Sequence, residues 1–97
     1  MPTWSKTESF REDYRGLTAT NKKKFKKAVA DFVADLKKGR GFRKGLRVKG
    51  VQGAGGVFEM TWAKDGRATF QYGPELKPKD PHIVWRRCGS HAIFKKP

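Results

Sequence analysis

The fold is organised around one stretch of the sequence, Ile83-Val84-Trp85-Arg86-Arg87-Cys88-Gly89-Ser90-His91-Ala92-Ile93-Phe94. Its first half alternates in the manner of a half-buried β-strand. The alternation predicts two opposite faces: Ile83, Trp85 and Arg87 on one, and Val84 and Arg86 on the other. Gly89 is a natural end for this strand, because glycine has no Cβ to oppose a turn. Two arginines and a histidine at a strand exit suit chemistry on a phosphodiester, and a basic edge strand with solvated arginines is the competing interpretation.

The length of the chain predicts a single domain over residues 1–97, with one hydrophobic core and no need for a disulfide or a metal. Cys88 is the only cysteine, so no internal disulfide can form and a cytoplasmic location is expected. The first residues lack the apolar run of a signal peptide, and no stretch approaches the length of a membrane-spanning helix.

The charge balance is the strongest compositional signal, with 23 Lys and Arg against 9 Asp and Glu and a net charge of +14. The excess is concentrated in residues 21–50, which hold twelve basic and two acidic residues. This distribution predicts a polyanionic partner, and nucleic acid is the commonest one. An acidic protein and an anionic membrane surface are the alternatives that charge alone leaves open.

Helical periodicity comes first along the chain. Ser5-x-x-Glu8 fits a capping box for a helix over about residues 7–16, and residues 1–5 allow a brief strand in which Trp4 is the candidate for burial. A second helix, capped by Thr18 or Thr20, should end at Gly39. Its apolar stripe comprises Phe25, Val29, Phe32, Val33 and Leu36. Its other face carries Lys22, Lys23, Lys24, Lys26 and Lys27, which either face solvent or contact phosphates.

Strand periodicity follows. Residues 46–49, 57–62 and 67–72 alternate as strands, and Lys64-Asp65-Gly66 is a tight-hairpin signal between the last two. Prolines at positions 74, 78 and 81 predict an irregular loop before the final strand. The predicted fold class is therefore α+β: a two-helix hairpin packed on a four-stranded, mainly antiparallel twisted sheet, with a short N-terminal strand allowed.

Several familiar kinds of site find little support in the sequence. The glycine-rich residues 53–56 lack the Lys-Ser/Thr of a phosphate-binding loop and are better explained as a hairpin loop. His82, Cys88 and His91 are the only soft metal ligands, and their spacing matches no zinc motif. Nucleophile elbows and paired carboxylates are likewise missing from the sequence. We therefore predict neither a metal nor a cofactor.

A set of cations on neighbouring strands is the remaining candidate site. A twisted antiparallel sheet can bring its members to one concave surface: Lys49, Arg67, Arg86, Arg87 and His91. RNA cleavage without a metal needs a base for the 2′-hydroxyl, cations for the crowded phosphate and an acid for the departing 5′-oxygen. Histidine can take either proton-transfer role, and arginine offers bidentate donors to phosphate oxygens. Phe94 or Trp85 could stack on an unpaired base, although Trp85 also suits the core.

Three segments carry a resemblance to a known family: Gly-Val-Phe-Glu-Met-Thr-Trp at 56–62, Gly-Arg-Ala-Thr-Phe-Gln-Tyr at 66–72 and Trp-Arg-Arg-Cys-Gly-Ser-His-Ala-Ile-Phe at 85–94. Together with the order of the elements, they resemble the RelE/ParE superfamily of toxins from bacterial toxin–antitoxin modules. The last segment is similar to the YafQ-like branch, whose final strand ends in Arg-x-Gly-x-His followed by a phenylalanine. The resemblance covers nearly the whole chain.

The resemblance implies an endoribonuclease that cuts mRNA on the ribosome without a metal, and that an acidic antitoxin holds inactive. It implies that His91 is the general acid or base, that Arg67 and Arg87 bind the phosphate, and that Phe94 positions the substrate. The His91–Phe94 spacing is one residue shorter than in the YafQ-like branch, and that branch's additional histidines and aspartates have no clear counterparts. RelE-type enzymes use lysines on the sheet, for which Lys49 is the nearest candidate, and Arg86 adds a second arginine for substrate.

Two other functions compete with this interpretation. A ParE-like toxin shares the fold but poisons DNA gyrase without cleaving RNA, and such a toxin needs no proton-transfer residue at His91. A non-catalytic nucleic-acid-binding module would use the basic helix and sheet as a landing surface, since charge alone supplies sequence-independent binding.

Overall fold

The computed structural model describes residues 2–97, and Met1 lies outside the described residues. Two 3₁₀ helices accompany the regular elements, η1 over Lys44–Leu46 and η2 over His91–Lys95. The helices and strands follow in this order: β1 (Thr3–Lys6), α1 (Glu8–Arg15), α2 (Ala19–Lys38), β2 (Lys49–Gly50), β3 (Val57–Thr61), β4 (Arg67–Lys77) and β5 (Asp80–Gly89). The predicted α+β class, with both helices before the sheet meander, is confirmed.

Within residues 2–97 the strands form one five-stranded sheet in the order β1-β5-β4-β3-β2. Strands β2 to β5 make the antiparallel meander that the sequence predicts. The predicted count of four is too low, because β1 is a full member and pairs in parallel with residues 82–85 of β5. The hydroxyl of Thr7, just after β1, donates to the carbonyl oxygen of Arg86 at 2.8 Å and extends this junction.

The first helix begins two residues later than the capping box predicts. Thr7 is the N-cap residue, and its Oγ1 accepts a hydrogen bond from the backbone N–H of Phe10 at 3.1 Å. The capping-box assignment to Ser5 is wrong, because Ser5 is still paired in β1 and its hydroxyl contacts Nε2 of His82 at 3.2 Å. The second helix agrees with the sequence: Thr18 caps it, and Gly39 ends it in the left-handed conformation with φ 68°.

Aromatic rings join the two helices to one face of the sheet. Phe10 and Phe25 lie 5.7 Å apart between their ring centroids, and Phe32 lies 4.9 Å from Phe70 and 5.3 Å from Trp85. Trp85 is therefore a core residue, 4% exposed, and does not stack on a substrate.

The predicted burial of Trp4 is wrong. In register it lies opposite Ile83, which faces the helices, but β1 is the edge strand and leaves the Trp4 side chain 59% exposed.

The segments around the hairpins differ from the sequence prediction. The expected irregular loop before the last strand is a long β4–β5 hairpin with its turn at residues 78–79. Pro74 and Pro81 fit within it because they lie in the irregular stretch between the Gly73–His82 and Lys77–Asp80 pairs, where no ladder N–H is needed. The strand predicted over residues 46–49 is reduced to Lys49–Gly50, because Leu46 is buried within η1.

A β-bulge in β5 overturns the predicted face of one arginine. Phe70 pairs with Trp85 while its neighbour Thr69 pairs with Arg87, so Arg86 is the extra residue in β5. Arg87 therefore lies on the face opposite Trp85, whereas strict alternation placed the two together. Arg86 also reaches this outer face, where it donates a hydrogen bond to the side chain of Gln71. The bulge thus directs both arginines away from the aromatic core.

Candidate functional site

His91 stands at the exit of β5, as predicted, at the start of η2. Ser90 caps η2, and its Oγ accepts the backbone N–H of Ala92 at 3.2 Å. The His91 side chain is 63% exposed, and its Nδ1 lies 3.2 Å from Oδ1 of Asp65. An ionised carboxylate only accepts hydrogen bonds, so in this contact Nδ1 carries the proton and donates it. Nε2 makes no hydrogen bond within residues 2–97, so it is the ring nitrogen that is left for a ligand.

Phe94 lies beside His91, with 5.4 Å between the ring centroids and an interplanar angle of 76°. The 3₁₀ geometry explains why a spacing of three residues suffices. With three residues per turn, side chains at i and i+3 point to the same side of the helix. The predicted pair is therefore brought together by η2 despite its shorter spacing in the sequence.

Arg67 begins β4 and holds the β3–β4 turn that carries Asp65. Its Nη1 donates to the carbonyl oxygens of Ala63, Lys64 and Gly66 at 3.2, 3.3 and 2.9 Å. Its backbone pairs with Gly89, two residues before His91. One turn therefore fixes a guanidinium and a carboxylate close to the strand exit from which His91 projects.

A row of residues in register crosses four strands on the outer face. Lys49 pairs with Glu59, Glu59 with Thr69, and Thr69 with Arg87. Lys49 and Arg87 thus share a face, but three interstrand spacings of about 4.8 Å put roughly 14 Å between their backbones. Thr69 in the middle of the row is fully buried, and its hydroxyl has no hydrogen-bond partner within the described chain. The structure does not bring Lys49 to Arg87.

Arg87 is held by α1 from one side and by the C-terminal residues from the other. Its Nε and Nη2 donate to the carboxylate of Asp13 at 2.6 and 3.1 Å, and its Nη1 donates to the carbonyl oxygen of Lys96 at 3.0 Å. The hydrogen bonds that Arg87 donates to the Asp13 carboxylate raise the pKa of its guanidinium above the usual value. Arg87 is therefore a fixed cation with two N–H groups left for a ligand.

Arg86 lines the same depression, of about 450 Å³, that Arg87 does. Its Nε donates to the carbonyl oxygen of Pro97 at 3.1 Å, and its Nη1 contacts Gln71. Both arginines are thus partly covered by the residues that follow η2. A phosphate that bound here would compete with the carbonyl groups of Lys96 and Pro97.

The sequence-predicted site residues fall into two groups. His91, Phe94 and Arg67 gather around the β3–β4 turn, and Arg86 and Arg87 lie together on the outer face. Lys49 belongs to neither group.

Two acidic partners were not assigned from the sequence: Asp65, which appeared only as part of the hairpin signal, and Asp13, which no local pattern distinguishes. Both are found only because distant segments meet.

Within residues 2–97, no three His, Cys, Asp or Glu side chains are grouped so that they could hold a metal ion. None of the helices that the model describes is long and apolar enough to cross a membrane.

Comparisons by sequence and by structure give different results. No protein-family model matches the sequence, and no curated protein matches it significantly. Solved structures do match over nearly the whole chain. YafQ from Escherichia coli is 14% identical with a TM-score of 0.65, covering 97% of this chain and 98% of its own.

Two further structures agree with this match. The YoeB/ParE toxin from Agrobacterium tumefaciens is 13% identical with a TM-score of 0.66, covering 92% of this chain and 98% of its own. The E. coli DinJ–YafQ toxin–antitoxin complex is 15% identical with a TM-score of 0.65, covering 95% and 94%. The chain therefore has the fold of these toxins, and the resemblance predicted from its sequence is confirmed at the level of the fold.

Proposed function

We propose that this chain is the toxin of a toxin–antitoxin pair and acts as a metal-independent, ribosome-dependent endoribonuclease that cleaves mRNA. The observation that carries the proposal is the exposed imidazole of His91, which Asp65 orients and beside which Phe94 lies, while Arg67 holds the turn that carries Asp65. The toxin fold supports it, and so does the net charge of +14. A landing surface for nucleic acid needs cations but has no use for an oriented, solvent-facing imidazole.

The geometry suggests a role for each group. The 2′-oxygen attacks phosphorus while the P–O5′ bond breaks, which leaves a cyclic phosphate and a 5′-hydroxyl. Neutral His91 can take the 2′-hydroxyl proton at Nε2, and water then gives a proton to the 5′-oxygen. Alternatively, protonated His91 can give a proton to the 5′-oxygen, and water takes the 2′-hydroxyl proton. Asp65 holds the imidazole with Nε2 outward. Arg67, which belongs to the same turn, stabilises charge on the phosphate, Arg87 adds positive charge from the outer face, and Phe94 packs against the base or sugar.

An acidic antitoxin is the partner expected for this surface. DinJ and YafQ form a toxin–antitoxin complex, and YafQ shares this fold. Twelve of the basic residues lie in residues 21–50, where an acidic segment would neutralise them. Co-expression of the acidic partner should relieve the growth arrest that this chain causes alone.

His91→Ala tests the proposal. A positioned acid or base contributes about 10²–10⁴-fold, so cleavage of mRNA on programmed ribosomes should slow by that factor in single-turnover assays. Arg67→Ala should weaken binding and slow the chemical step, because its charge acts on ground and transition states alike. Lys95→Ala is the matched control, since it changes an exposed residue of the same 3₁₀ helix. Circular dichroism monitors folding throughout.

Two results would contradict the proposal. One is a folded His91→Ala protein that cuts mRNA at the parental rate. The other is a parental protein that leaves mRNA intact but stalls DNA gyrase, which would favour the gyrase poison with the same fold.

A further inference from the structure

A further set of cations, which includes Arg67, lines a cleft beside the β3–β4 turn. The cleft has a volume of about 640 Å³ and is bordered by α2, by the segment around η1 and by the end of β3. Its basic lining residues are Lys24, Lys27, Arg43, Arg47, Lys64 and Arg67, and the single acidic residue among those that line it is Asp31. A concave surface with this charge attracts anions strongly.

The wall that η1 contributes is fixed by a buried carboxylate. Asp35 is 7% exposed and accepts the backbone N–H of Arg43 at 2.8 Å, its Nε at 2.9 Å and its Nη2 at 3.0 Å. Oδ1 of Asp31 forms an ion pair with Nη1 of the same guanidinium at 3.1 Å. Arg43 is thus a structural cation whose charge is already paired. It holds the segment that leads to Arg47.

Arg47 stands in a conformation that non-glycine residues adopt uncommonly, with φ 46° and ψ 46°. Such strain persists only where the surrounding structure imposes it, and it concentrates at functional positions. Here it follows η1, which buried Leu46 anchors, and it directs an exposed arginine to the mouth of the cleft. The side chains of Lys24, Arg47 and Lys64 make no hydrogen bond or ion pair within residues 2–97, so their charges are available to a ligand.

The cleft continues towards the candidate catalytic residue. A second depression, of about 260 Å³, shares Lys24, Trp62, Ala63 and Lys64 with it. From there it runs past Asp65 and Gly66 to Gly89 and Ser90. Ser90 immediately precedes His91. The two depressions therefore form one groove, here called the turn groove, from the basic face of α2 to the exit of β5.

We propose that the turn groove binds the phosphodiester backbone of RNA, with Lys24, Arg47 and Lys64 contacting phosphates that flank the strand position at His91. The inference rests on the proposed function, since the groove leads to the residue that would cleave the strand. An acidic protein segment fits less well, because six of the thirteen residues that line the larger depression are lysine or arginine and a phosphodiester backbone carries a negative charge at every nucleotide.

The test compares two triple variants that lose the same charge. Lys24→Gln, Arg47→Gln and Lys64→Gln together neutralise the turn groove. Lys37→Gln, Lys77→Gln and Lys79→Gln together are the control, because these exposed lysines lie outside the groove. The probe is a short fluorescent 2′-O-methyl RNA, which lacks the nucleophilic hydroxyl and cannot be cleaved. We expect the groove variant to bind roughly tenfold or more weakly and its salt slope to fall by about 2, since each lost phosphate contact on a single strand removes about 0.7.

The control variant should remain within about twofold of the parent, because distant surface charges contribute only screened, non-specific attraction. A second arm measures co-sedimentation with vacant ribosomes. A loss on the free RNA assigns the groove to the substrate strand, and a loss confined to ribosomes assigns it to ribosomal RNA; both support phosphodiester binding. Equal behaviour of the two triple variants in both arms would overturn the inference. So would a loss seen only with polyglutamate as the probe.

The measurement also separates this inference from the proposed function. The probe is not cleaved, so its binding reports on the groove whether or not the chain is a ribonuclease. A chain without ribonuclease activity whose RNA binding still depends on the turn groove would remove the proposed function and leave the groove assignment intact.

Discussion

His91 and Asp65 are separated by 26 residues in the sequence, yet Nδ1 of the first lies 3.2 Å from Oδ1 of the second. The β4–β5 hairpin brings them together, because Arg67 at the start of β4 pairs with Gly89 at the end of β5. The side chains are 63% and 71% exposed, so solvent screens the attraction and the contact contributes little to stability. Its value lies in orientation, since it fixes the tautomer and directs Nε2 outward.

Asp65→Ala should therefore slow mRNA cleavage without unfolding the protein. We expect a single-turnover rate lower by roughly ten- to a hundredfold, less than for His91→Ala, because the imidazole remains but is no longer oriented. Asp65→Asn should recover part of the rate, since its amide oxygen still accepts from Nδ1. The melting temperature should stay close to that of the parent. If Asp65→Ala cleaves as fast as the parent, the orienting role is wrong.

Asp35 is the carboxylate on which the η1 segment depends. Asp35→Ala leaves Arg43 without its main partner and releases the chain that follows α2. The melting temperature should fall, by roughly 4–8 °C for each kcal/mol of stability lost in a domain of this size. Asp31→Ala is the matched control, because Asp31 is more exposed and makes one contact with Arg43. Equal melting temperatures for both variants would show that the hydrogen bonds between Asp35 and Arg43 do not stabilise the fold.

The same carboxylate should make part of the stability dependent on pH. Its side-chain hydrogen bond with Arg43 lowers the pKa of Asp35 from 3.8 to about 2. A carboxyl whose pKa is lower in the folded state stabilises the fold above its unfolded pKa, and loses that contribution as the pH falls through the folded one. The parent should lose stability between about pH 4 and pH 2, and Asp35→Asn should lose less over that range. Urea titrations at these pH values measure the free energy of unfolding. The assignment is wrong if this free energy falls equally with pH in the two proteins.

The ring of Trp62 leaves no room for a side chain at Gly66. A Cβ built at Gly66 would lie 2.6, 2.7 and 2.8 Å from three atoms of that ring, which is buried and whose Nε1 donates to the carbonyl oxygen of Arg67 at 2.9 Å. Gly66→Ala should destabilise the protein by about 1–3 kcal/mol, the usual cost of overpacking. Gly55→Ala is the control, since a Cβ there meets nothing within 4 Å. Urea denaturation that ranks the two variants equally would exclude the steric explanation.

Cys88 should react slowly with thiol reagents in the folded protein. Burial raises the pKa of its thiol to about 12, and the nearby carboxylate of Asp13 acts in the same direction. The thiolate is the reactive form, so little of it exists at neutral pH until the chain unfolds. Labelling with a chromogenic disulfide should follow the unfolding transition in urea. Rapid labelling in native buffer would show that the Cys88 thiol is accessible in the folded protein.

Much of the fold could be predicted from local patterns. The stripe from Phe25 to Leu36 defines α2, and Gly39 ends it, because these signals depend on residues within a few positions of one another. The Asp-Gly signal at Asp65 locates the β3–β4 turn for the same reason. The irregular loop predicted from Pro74 and Pro81 was wrong, because the irregular pairing of β4 with β5 needs no N–H group at these two positions.

The direction of Arg87 could not be predicted in this way. Alternation along β5 placed it with Trp85, and the β-bulge reverses that placement. The bulge is a property of the pairing between β4 and β5, and the sequence of one strand does not contain it. The salt bridge from Asp13, which fixes Arg87, depends in turn on how α1 lies along the edge of the sheet.

Local patterns in the sequence are therefore enough to predict the helices, the meander, the basic character of residues 21–50 and the position of His91 at a strand exit. Each of these follows from short-range periodicity or from charge, which folding does not alter. The contact between Asp65 and His91, the outer face shared by both arginines and the separate position of Lys49 become apparent only in the folded chain. These are contacts between residues far apart in the chain. Their geometry comes from strand register, which is set by the packing of the whole core.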